Sequence, residues 1–422
     1  MAKQSERQVW VYADWQGLGG PQLMGVLAAM RSAGQGEVFS FEYDRAWLGQ
    51  QQALYLDPHL NMYTGRQYLP DGKTNFGIFM DSSPDRWGRV LMRRREALLA
   101  RMAGRDARPL TEIDFLLGVY DVHRMGAIRF KSAVDGGYQN DDAQYTTPPM
   151  TSLRALEHAS LQLEQDGEDT EEELRWINML IAPGSSLGGA RPKASVTDPA
   201  GQLWIAKFPS MYDTRDTGAW EMVAHELAIR AGITVPESRV QVFSGRHHTF
   251  LTRRFDRTEQ GERIHFASAM TLLGYSDGAD HTTGASYLEL AEIIIRYGAA
   301  PDRDLRELWR RIVFSICISN SDDHLRNHGF LLTPAGWHLS PAYDLNPIDT
   351  AHGLTLNISE DDNALDLGLA RSVAPLFRLD EREAEEIIAQ VTAAAREWQS
   401  IARQYGINTN EMKQMERAFS HF

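Results

Sequence analysis

The segment Asn320-Ser321-Asp322-Asp323-His324-Leu325-Arg326-Asn327 and the later pair Tyr343-Asp344 carry the side chains best placed to do chemistry. Together they offer two carboxylates and an amide in an order suited to phosphoryl transfer. Asp322 can accept a hydrogen bond from an attacking hydroxyl and hold it in line with a phosphorus atom. Asn327, five residues on, offers a neutral carbonyl oxygen, and Asp344, twenty-two positions after Asp322, offers a charged one. Mg²⁺ is a hard ion that takes oxygen ligands. Phosphoryl transfer asks for positioning and charge neutralisation more than for covalent chemistry, and His324 or Arg326 can neutralise the charge that develops.

Protein kinases divide the labour this way: a catalytic-loop Asp, an Asn four or five residues later, and a further Asp on the metal. A lysine belongs to the same scheme. Lys207 ends the apolar run Leu203-Trp204-Ile205-Ala206, and an ammonium buried there without an anion would be costly. Glu221, fourteen residues on at the start of a helical stretch, is its natural partner, with the ATP α/β-phosphates as a second anion. Each part also has a plainer reading. An Asp-rich loop is often a turn with self-capped side chains, a strand lysine can snorkel to solvent, and Asp344 after Ser340-Pro341-Ala342 suits a turn. Their joint occurrence in one chain order favours the catalytic reading.

The loop Gly184-Ser185-Ser186-Leu187-Gly188-Gly189 is a separate signal, because glycines let backbone N–H groups approach phosphates closely. No Gly-Lys-Ser/Thr ends it, so it is not a Walker A loop. Its serines are either flexible-loop residues or a phosphorylation site, where a dianionic phosphate would re-order the loop. Gly17-Leu18-Gly19-Gly20 follows a strand but leads through Pro21 into strand-like residues, which denies it the helix that a dinucleotide site requires.

Around these groups the chain reads as α+β. Val9–Tyr12, Met24–Leu27 and Val38–Tyr43 are strand-like, and Asp85–Met102 reads as a basic helix with Arg86, Arg89, Arg93, Arg94 and Arg95 on a solvated face. Polar sequence over Asp135–Pro149 reads as a linker or surface loop. Helices near 151–165 and 171–182 follow, the second opening on an acidic run that suits a helix N-terminus. Then come the Gly-rich loop, a strand pair ending at Lys207, a helix over 219–231 bearing Glu221, and strands over 239–243 and 248–254. Past 270 the chain turns helical. Asp302–Ser319 places Leu305, Trp309, Ile312, Val313 and Ile316 on one face. A hairpin follows around Thr333-Pro334-Ala335, and Asp380–Tyr405 reads as one long final helix.

At 422 residues the chain is too long for one core. The segments expected are 1–135 (β-rich, with the basic helix), 150–266 (Gly/Ser loop and Lys207) and 270–422 (helical, with the candidate catalytic loop). The net charge of −14 argues against nonspecific nucleic-acid binding by this chain alone. A single cysteine, Cys317, excludes an internal disulfide and reads as a buried thiol suited to a reducing cytoplasm. No apolar stretch reads as a membrane span or a signal peptide.

NSDDHLRNHGF, LSPAYDLNP, SSLGGARPKA, IAKFPS and WEMVAHELAIRAGITVP together resemble the HipA family, the kinase toxins of HipA–HipB toxin–antitoxin modules. Earlier segments, among them LPDGKTNFGIFMDSSPDRWG, resemble that family's N-terminal subdomain. The resemblance implies a two-lobed, protein-kinase-like fold: a mixed, β-rich N-lobe with an extra N-terminal β subdomain, and a mostly helical C-lobe. It implies Mg²⁺- and ATP-dependent phosphorylation of Ser/Thr in a protein substrate, aminoacyl-tRNA synthetases being among family substrates, and a small helix-turn-helix HipB-like antitoxin dimer as the DNA-contacting partner. By the same resemblance Asp322 is the catalytic Asp, Asn327 and Asp344 are Mg²⁺ ligands, and Lys207 is the ATP lysine, paired with Glu221. Gly188, Gly189, Ala190 and Arg191 form part of the nucleotide loop. His324, Arg326, Tyr343 and the hinge Ala267-Ser268-Ala269 also line the ATP site, the hinge lacking the acidic residues of the best-known member. Ser186, or else Ser185, is the autophosphorylated residue that ejects the loop and silences the enzyme. Two rivals stand beside this reading: a small-molecule kinase of the sugar or antibiotic type, and a non-catalytic binding module or corepressor on the same fold.

Overall fold

A computed structural model describes residues 6–32, 36–49, 54–141, 147–165, 170–181, 189 and 191–422. The fold is mixed α+β. Two compact units divide the chain: residues 1–211 with 256–267, and residues 212–255 with 268–422. They are drawn differently from the three expected segments, because residues 150–266 are shared between them. Among the described residues no helix is long and apolar enough to cross a membrane.

The first unit opens with strands β1 (Arg7–Ala13), β2 (Gln22–Ser32) and β3 (Gly36–Tyr43), helix α1 (Arg45–Leu48), strand β4 (Gln67–Tyr68) and helix α2 (Gly77–Met80). Helices α3 (Arg86–Met102) and α4 (Glu112–Gly118) precede strand β5 (Ile128–Lys131). The sheet order is β4-β3-β2-β1-β5, antiparallel throughout. Gly17–Gly20 lies in the turn joining β1 to β2, with positive φ at Gly17, Gly19 and Gly20, so these glycines serve a turn. Gly25 answers a different need: a Cβ there would stand 2.3 Å from the Glu42 carbonyl oxygen of the neighbouring strand. One sheet face buries Phe39, Phe41 and Phe130 with Phe79 of α2, rings 5.5 to 6.0 Å apart where they meet. Each ring so buried contributes about 1.5–3 kcal/mol.

The arginines of α3 do not form the solvated face that composition suggests. Arg86 and Arg93 are exposed, but Arg89 grips Glu112 through two 2.7 Å bonds. The guanidiniums of Arg89 and Arg93 lie 4.6 and 5.1 Å from the Phe115 ring, so arginine holds α4 against α3. The stretch expected as a linker is also tied down where described. Tyr138 bridges to Lys131, its ring lies 3.3 Å from the Arg129 guanidinium, and Asn140 bonds the Gly118 carbonyl at 2.8 Å.

Helices α5 (Leu153–Glu164) and α6 (Thr170–Ile181) and the hairpin of β6 (Lys193–Thr197) with β7 (Leu203–Lys207) complete the unit. Glu171–Glu173 occupy the first turn of α6, where the helix dipole favours carboxylates. Lys193 is fully buried and pairs with Asp85 at 2.8 Å across 108 residues of sequence, while the other Asp85 oxygen caps α3 through the Gly88 N–H. The same ammonium reaches the Gly189 carbonyl at 3.3 Å.

The second unit is mostly helical. Helix α7 (Thr217–Arg230) is capped by Asp216 and followed by the hairpin of β8 (Ser238–Gln241) and β9 (Thr249–Arg253). The chain re-enters the unit through strand β10 (Phe266–Ser268) and helix α8 (Ala269–Leu273). Next come α9 (Tyr287–Tyr297), α10 (Pro301–Cys317) and the hairpin of β11 (Gly329–Thr333) with β12 (Gly336–Leu339). Helices α11 (Leu367–Val373), α12 (Glu381–Ala395), α13 (Trp398–Gln404) and α14 (Thr409–Met415) close it. Leu305, Trp309, Ile312, Val313 and Ile316 of α10 are all fully buried. Cys317 is buried as well, and burial pushes its thiol up to about 12, which makes it inert at neutral pH. The single final helix expected over Asp380–Tyr405 is two, broken at Arg396-Glu397. No glycine or proline marks the break. Trp398 stacks on Phe419 at 4.6 Å and packs 6.1 Å from Trp220, so tertiary packing of one indole overrides local helix propensity.

The Asp85–Lys193 pair makes a prediction. Asp85→Ala leaves a buried ammonium without its carboxylate and α3 without its cap, and should cost about 3–5 kcal/mol in denaturant titrations. Replacing both partners, Asp85→Leu with Lys193→Met, should recover most of that loss. A double variant as unstable as the single would show that the charge pair is not the origin of the effect.

Candidate active site

The candidate site is assembled within the second unit. Helix α10 delivers the chain to it: Pro301 starts the helix at a position where its missing N–H costs nothing. At the other end Ser319 takes a left-handed φ of 50° and turns the chain sharply. The Asn320 amide N–H bonds back to the Ser315 carbonyl at 2.9 Å, and the Ser319 hydroxyl bonds the Ala418 carbonyl at 2.8 Å. The loop then folds on itself. His324 N–H reaches the Asp322 carbonyl at 2.9 Å, and a 3₁₀ turn over Leu325–Asn327 leads into β11. The Thr355 hydroxyl holds the Ser321 carbonyl at 2.6 Å.

Within this frame the chemical groups have distinct environments. Asp322 is exposed, Asp323 and Asn327 are buried, and His324 and Arg326 lie between. The Asn327 Nδ2 donates to the Asp322 carbonyl oxygen at 3.0 Å, which fixes the amide plane against the loop. Its Oδ1 is buried and has no hydrogen-bond partner. Asp344 is half-buried and adopts a left-handed φ of 59°, a conformation that Asp tolerates better than most residues. Its segment is tied to the loop, because the Asn346 N–H donates to the Asn320 Oδ1 at 3.0 Å. The Tyr343 hydroxyl donates to the Arg326 carbonyl at 2.6 Å, a second tie between the same two segments.

The charge of Asp344 is felt at Asp322. Asp322 keeps solvent access, yet the protein packed around it raises its carboxyl above the ordinary range. The Asp344 and Asp323 carboxylates raise it further, against the opposing pull of His324. Asp323 goes the other way: burial works to raise it, but His328 beside it and the hydrogen bond from the Tyr287 hydroxyl outweigh burial and hold it low. Among the described residues no group of three or more His, Cys, Asp or Glu forms a metal cage of its own.

The remaining expected residues fall as follows. Glu221 is buried on α7 and lines a crevice of this unit with His225, Thr252, Tyr343, Asp344 and Leu345. Helix α7 itself is firmly seated: Asp216 accepts from the Ala219 and His248 N–H groups and meets His248 Nδ1 at 2.6 Å. Ser268 and Ala269 are buried, with the Ser268 hydroxyl capping α8 and the Ala269 N–H bonded to the His328 carbonyl at 2.8 Å. Arg326 faces Asp277 at 3.5 Å. Lys207, half-buried at the end of β7, lies in the first unit with Ala267, Gly189 and Arg191, whose Nε bonds the Phe208 carbonyl at 3.1 Å. Ser185, Ser186, Gly188 and Ala190 lie outside the described residues.

Sequence reasoning assigned no role to Asp323, Tyr287, Ser315, Asn320 or His328, which form a buried polar cluster beneath the loop. One signal was available. A tyrosine on the buried face of an amphipathic helix needs a partner for its hydroxyl, and Tyr287 occupies such a place.

Comparison with known proteins agrees with this architecture. A curated candidate kinase of Haemophilus influenzae is 32% identical over 124 residues, 27% of this chain and 36% of that protein. The Sinorhizobium fredii candidate kinase Y4dM is 30% identical over 196 residues, 42% of this chain and 44% of that protein. The chain thus matches less than half the length of these curated relatives. Over 98% of its length, and 95% of the other's, the fold matches HipA of Shewanella oneidensis MR-1, solved with HipB and operator DNA, at a TM-score of 0.64 and 17% identity. The fold is therefore a HipA fold. Residues 185–398, which include the whole candidate loop, match the sequence profile of the HipA-like C-terminal domain, and the chain belongs to the HipA family.

The left-handed Asp344 yields a stability test. Asp344→Asn keeps a side chain suited to that backbone, which Asp344→Ala does not. Asp344→Ala should fall below the Asn variant by about 1 kcal/mol. An Ala variant as stable as the Asn variant would contradict the strain argument.

Proposed function

We propose that this chain is an ATP- and Mg²⁺-dependent kinase that phosphorylates Ser/Thr of a protein, with Asp322 orienting the attacking hydroxyl. The observation that carries this reading is the buried, partnerless Oδ1 of Asn327 in a loop whose Asp322 carboxyl feels the charge of Asp344. A buried acceptor without a donor is costly in a folded protein, and a hard cation is the partner that suits it. The residues present fit that group. Asn327 and Asp344 would hold Mg²⁺, which when bound would neutralise phosphate charge. Asp322 carries a raised carboxyl affinity for protons, appropriate to a group that receives a hydroxyl hydrogen bond and passes the proton on.

Other roles belong to the same proposal. Lys207 meets the nucleotide phosphates and pairs with Glu221, while His324, Arg326, Tyr343 and the loop from Gly188 to Arg191 complete the ATP site with Ala267, Ser268 and Ala269. A small HipB-like helix-turn-helix protein is the proposed partner, supported by the Shewanella complex, and DNA contact is proposed to run mainly through it. An aminoacyl-tRNA synthetase is a substrate of the right class. Phosphorylation of Ser186, or Ser185, is the proposed silencing event.

Two experiments test this. Asp322→Asn should lower transfer of labelled γ-phosphate by at least about a thousandfold at unchanged melting temperature, the scale on which catalytic groups act. Retained transfer would refute the assignment, and ATP binding without turnover in the parent would favour the binding-module alternative. Ser186→Asp should weaken ATP binding about tenfold or more by placing negative charge beside the nucleotide phosphates. Unchanged nucleotide affinity would remove the loop from the regulatory scheme.

A further inference from the structure

Beneath the candidate loop lies a chain of polar contacts that neither phosphate nor nucleotide recognition requires. Asp323 is 4% exposed and accepts from the Tyr287 hydroxyl at 2.6 Å and the Ser315 hydroxyl at 3.3 Å, both on one oxygen. Its other oxygen stands 3.1 Å from His328 Nε2, a contact without hydrogen-bond alignment. The Ser315 hydroxyl in turn accepts from Asn320 Nδ2 at 3.3 Å, and Asn320 Oδ1 accepts from the Asn346 backbone N–H at 3.0 Å. The relay therefore runs from α9 and α10, through the carboxylate adjacent to Asp322, to the backbone two residues beyond Asp344. Tyr287, Ser315, Asn320 and His328 are all at most 2% exposed.

Such a network is an expensive way to stabilise a core. A buried carboxylate loses its hydration, and well-packed apolar side chains often match or exceed the stability of buried ionic groups. What a buried polar network supplies instead is a fixed geometry. Here it fixes the two segments that carry Asp322, Asn327 and Asp344, one of which includes a backbone held in the left-handed region.

We propose that Asp323 is a positioning residue, the centre of a buried relay that sets the spacing between the loop bearing Asp322 and Asn327 and the segment bearing Asp344. Asp323 itself touches neither nucleotide nor metal. The relay rests on the kinase reading above, but its signature differs from that of a metal ligand or a base. Loss of the relay loosens the mutual placement of two oxygen-bearing segments. Turnover and Mg²⁺ dependence should therefore suffer, while metal-free nucleotide binding should not.

The test compares the parent with Asp323→Asn, which keeps shape but removes charge, and with Ser315→Ala and Tyr287→Phe, which each delete one hydroxyl. Phosphoryl transfer is measured against Mg²⁺ concentration, and ATP binding is measured by calorimetry in EDTA. Asp323→Asn should lower kcat and raise the half-saturating Mg²⁺ concentration, each by about 10–100-fold, the range for residues that orient metal ligands. Ser315→Ala and Tyr287→Phe should move both quantities the same way by smaller factors, with ATP affinity in EDTA unchanged within about twofold. Should Asp323→Asn fail to fold, the two hydroxyl deletions decide the matter. Unchanged Mg²⁺ dependence in the folded variants would overturn the relay, as would a parallel loss of metal-free ATP binding and melting temperature, which marks a merely structural role. A parent protein with no Mg²⁺-dependent transfer would instead overturn the kinase reading, so the two failures are separable.

Discussion

A buried acceptor oxygen with no donor is a standing cost, and the site turns on one. Asn327 spends its Nδ2 on the Asp322 carbonyl and leaves Oδ1 without a hydrogen-bond partner. The opposite flip would set Oδ1 against the Asp322 carbonyl, which cannot donate to it. One hydrogen bond thus orients the amide, and orientation decides which atom is presented. Around it the backbone turns are locally bonded, while His324 Nδ1 and Asn346 Oδ1 nearby in the chain are also buried without a hydrogen-bond partner. Unmet demand of that kind is what a ligand site requires: the surrounding structure stores the cost, and a ligand relieves it.

The same constraint explains the division of the two neighbouring aspartates. Asp322 and Asp323 are adjacent in sequence and opposite in fate. Asp322 is partly desolvated and has carboxylate neighbours, and its proton affinity rises. Asp323 faces a tyrosine, a serine and a histidine in the interior, and its proton affinity falls. Asp322 lies in a turn and Asp323 directly follows it, and this backbone path leaves the first exposed and the second buried. The contrast resembles the general pattern in which environments push paired titratable groups apart and thereby assign them different tasks.

Much of this was legible in the sequence, for identifiable reasons. The periodicity of α10 reports its own burial, because Leu305 through Ile316 repeat at helical spacing. The hairpin around Pro334 and the Asp380 cap are local signals as well. Asp322, Asn327 and Asp344 could be singled out because their chemistry is encoded by type and spacing. What could not be read depends on partners remote along the chain. Arg89 looks solvated until Glu112 is placed beside it, and Lys193 looks like any strand lysine until Asp85 is found 108 residues earlier. The break before Trp398 has no local cause at all, since the residues on either side favour helix and only the stack on Phe419 decides.

Asp323 shows most sharply where type and spacing stop. It sits inside the segment that drew attention first, yet nothing in the segment distinguishes it from Asp322. Its three partners come from α9, from α10 and from the entry to β11, and only folding brings them to one carboxylate. A motif therefore names the groups that can do chemistry without naming the groups that hold them. Distances in the relay are what separate the two, because a carboxylate met at 2.6 Å by a buried tyrosine is no longer available to a substrate. Availability is a property of the fold, and for this loop it is decided by which of two adjacent aspartates the interior has already claimed.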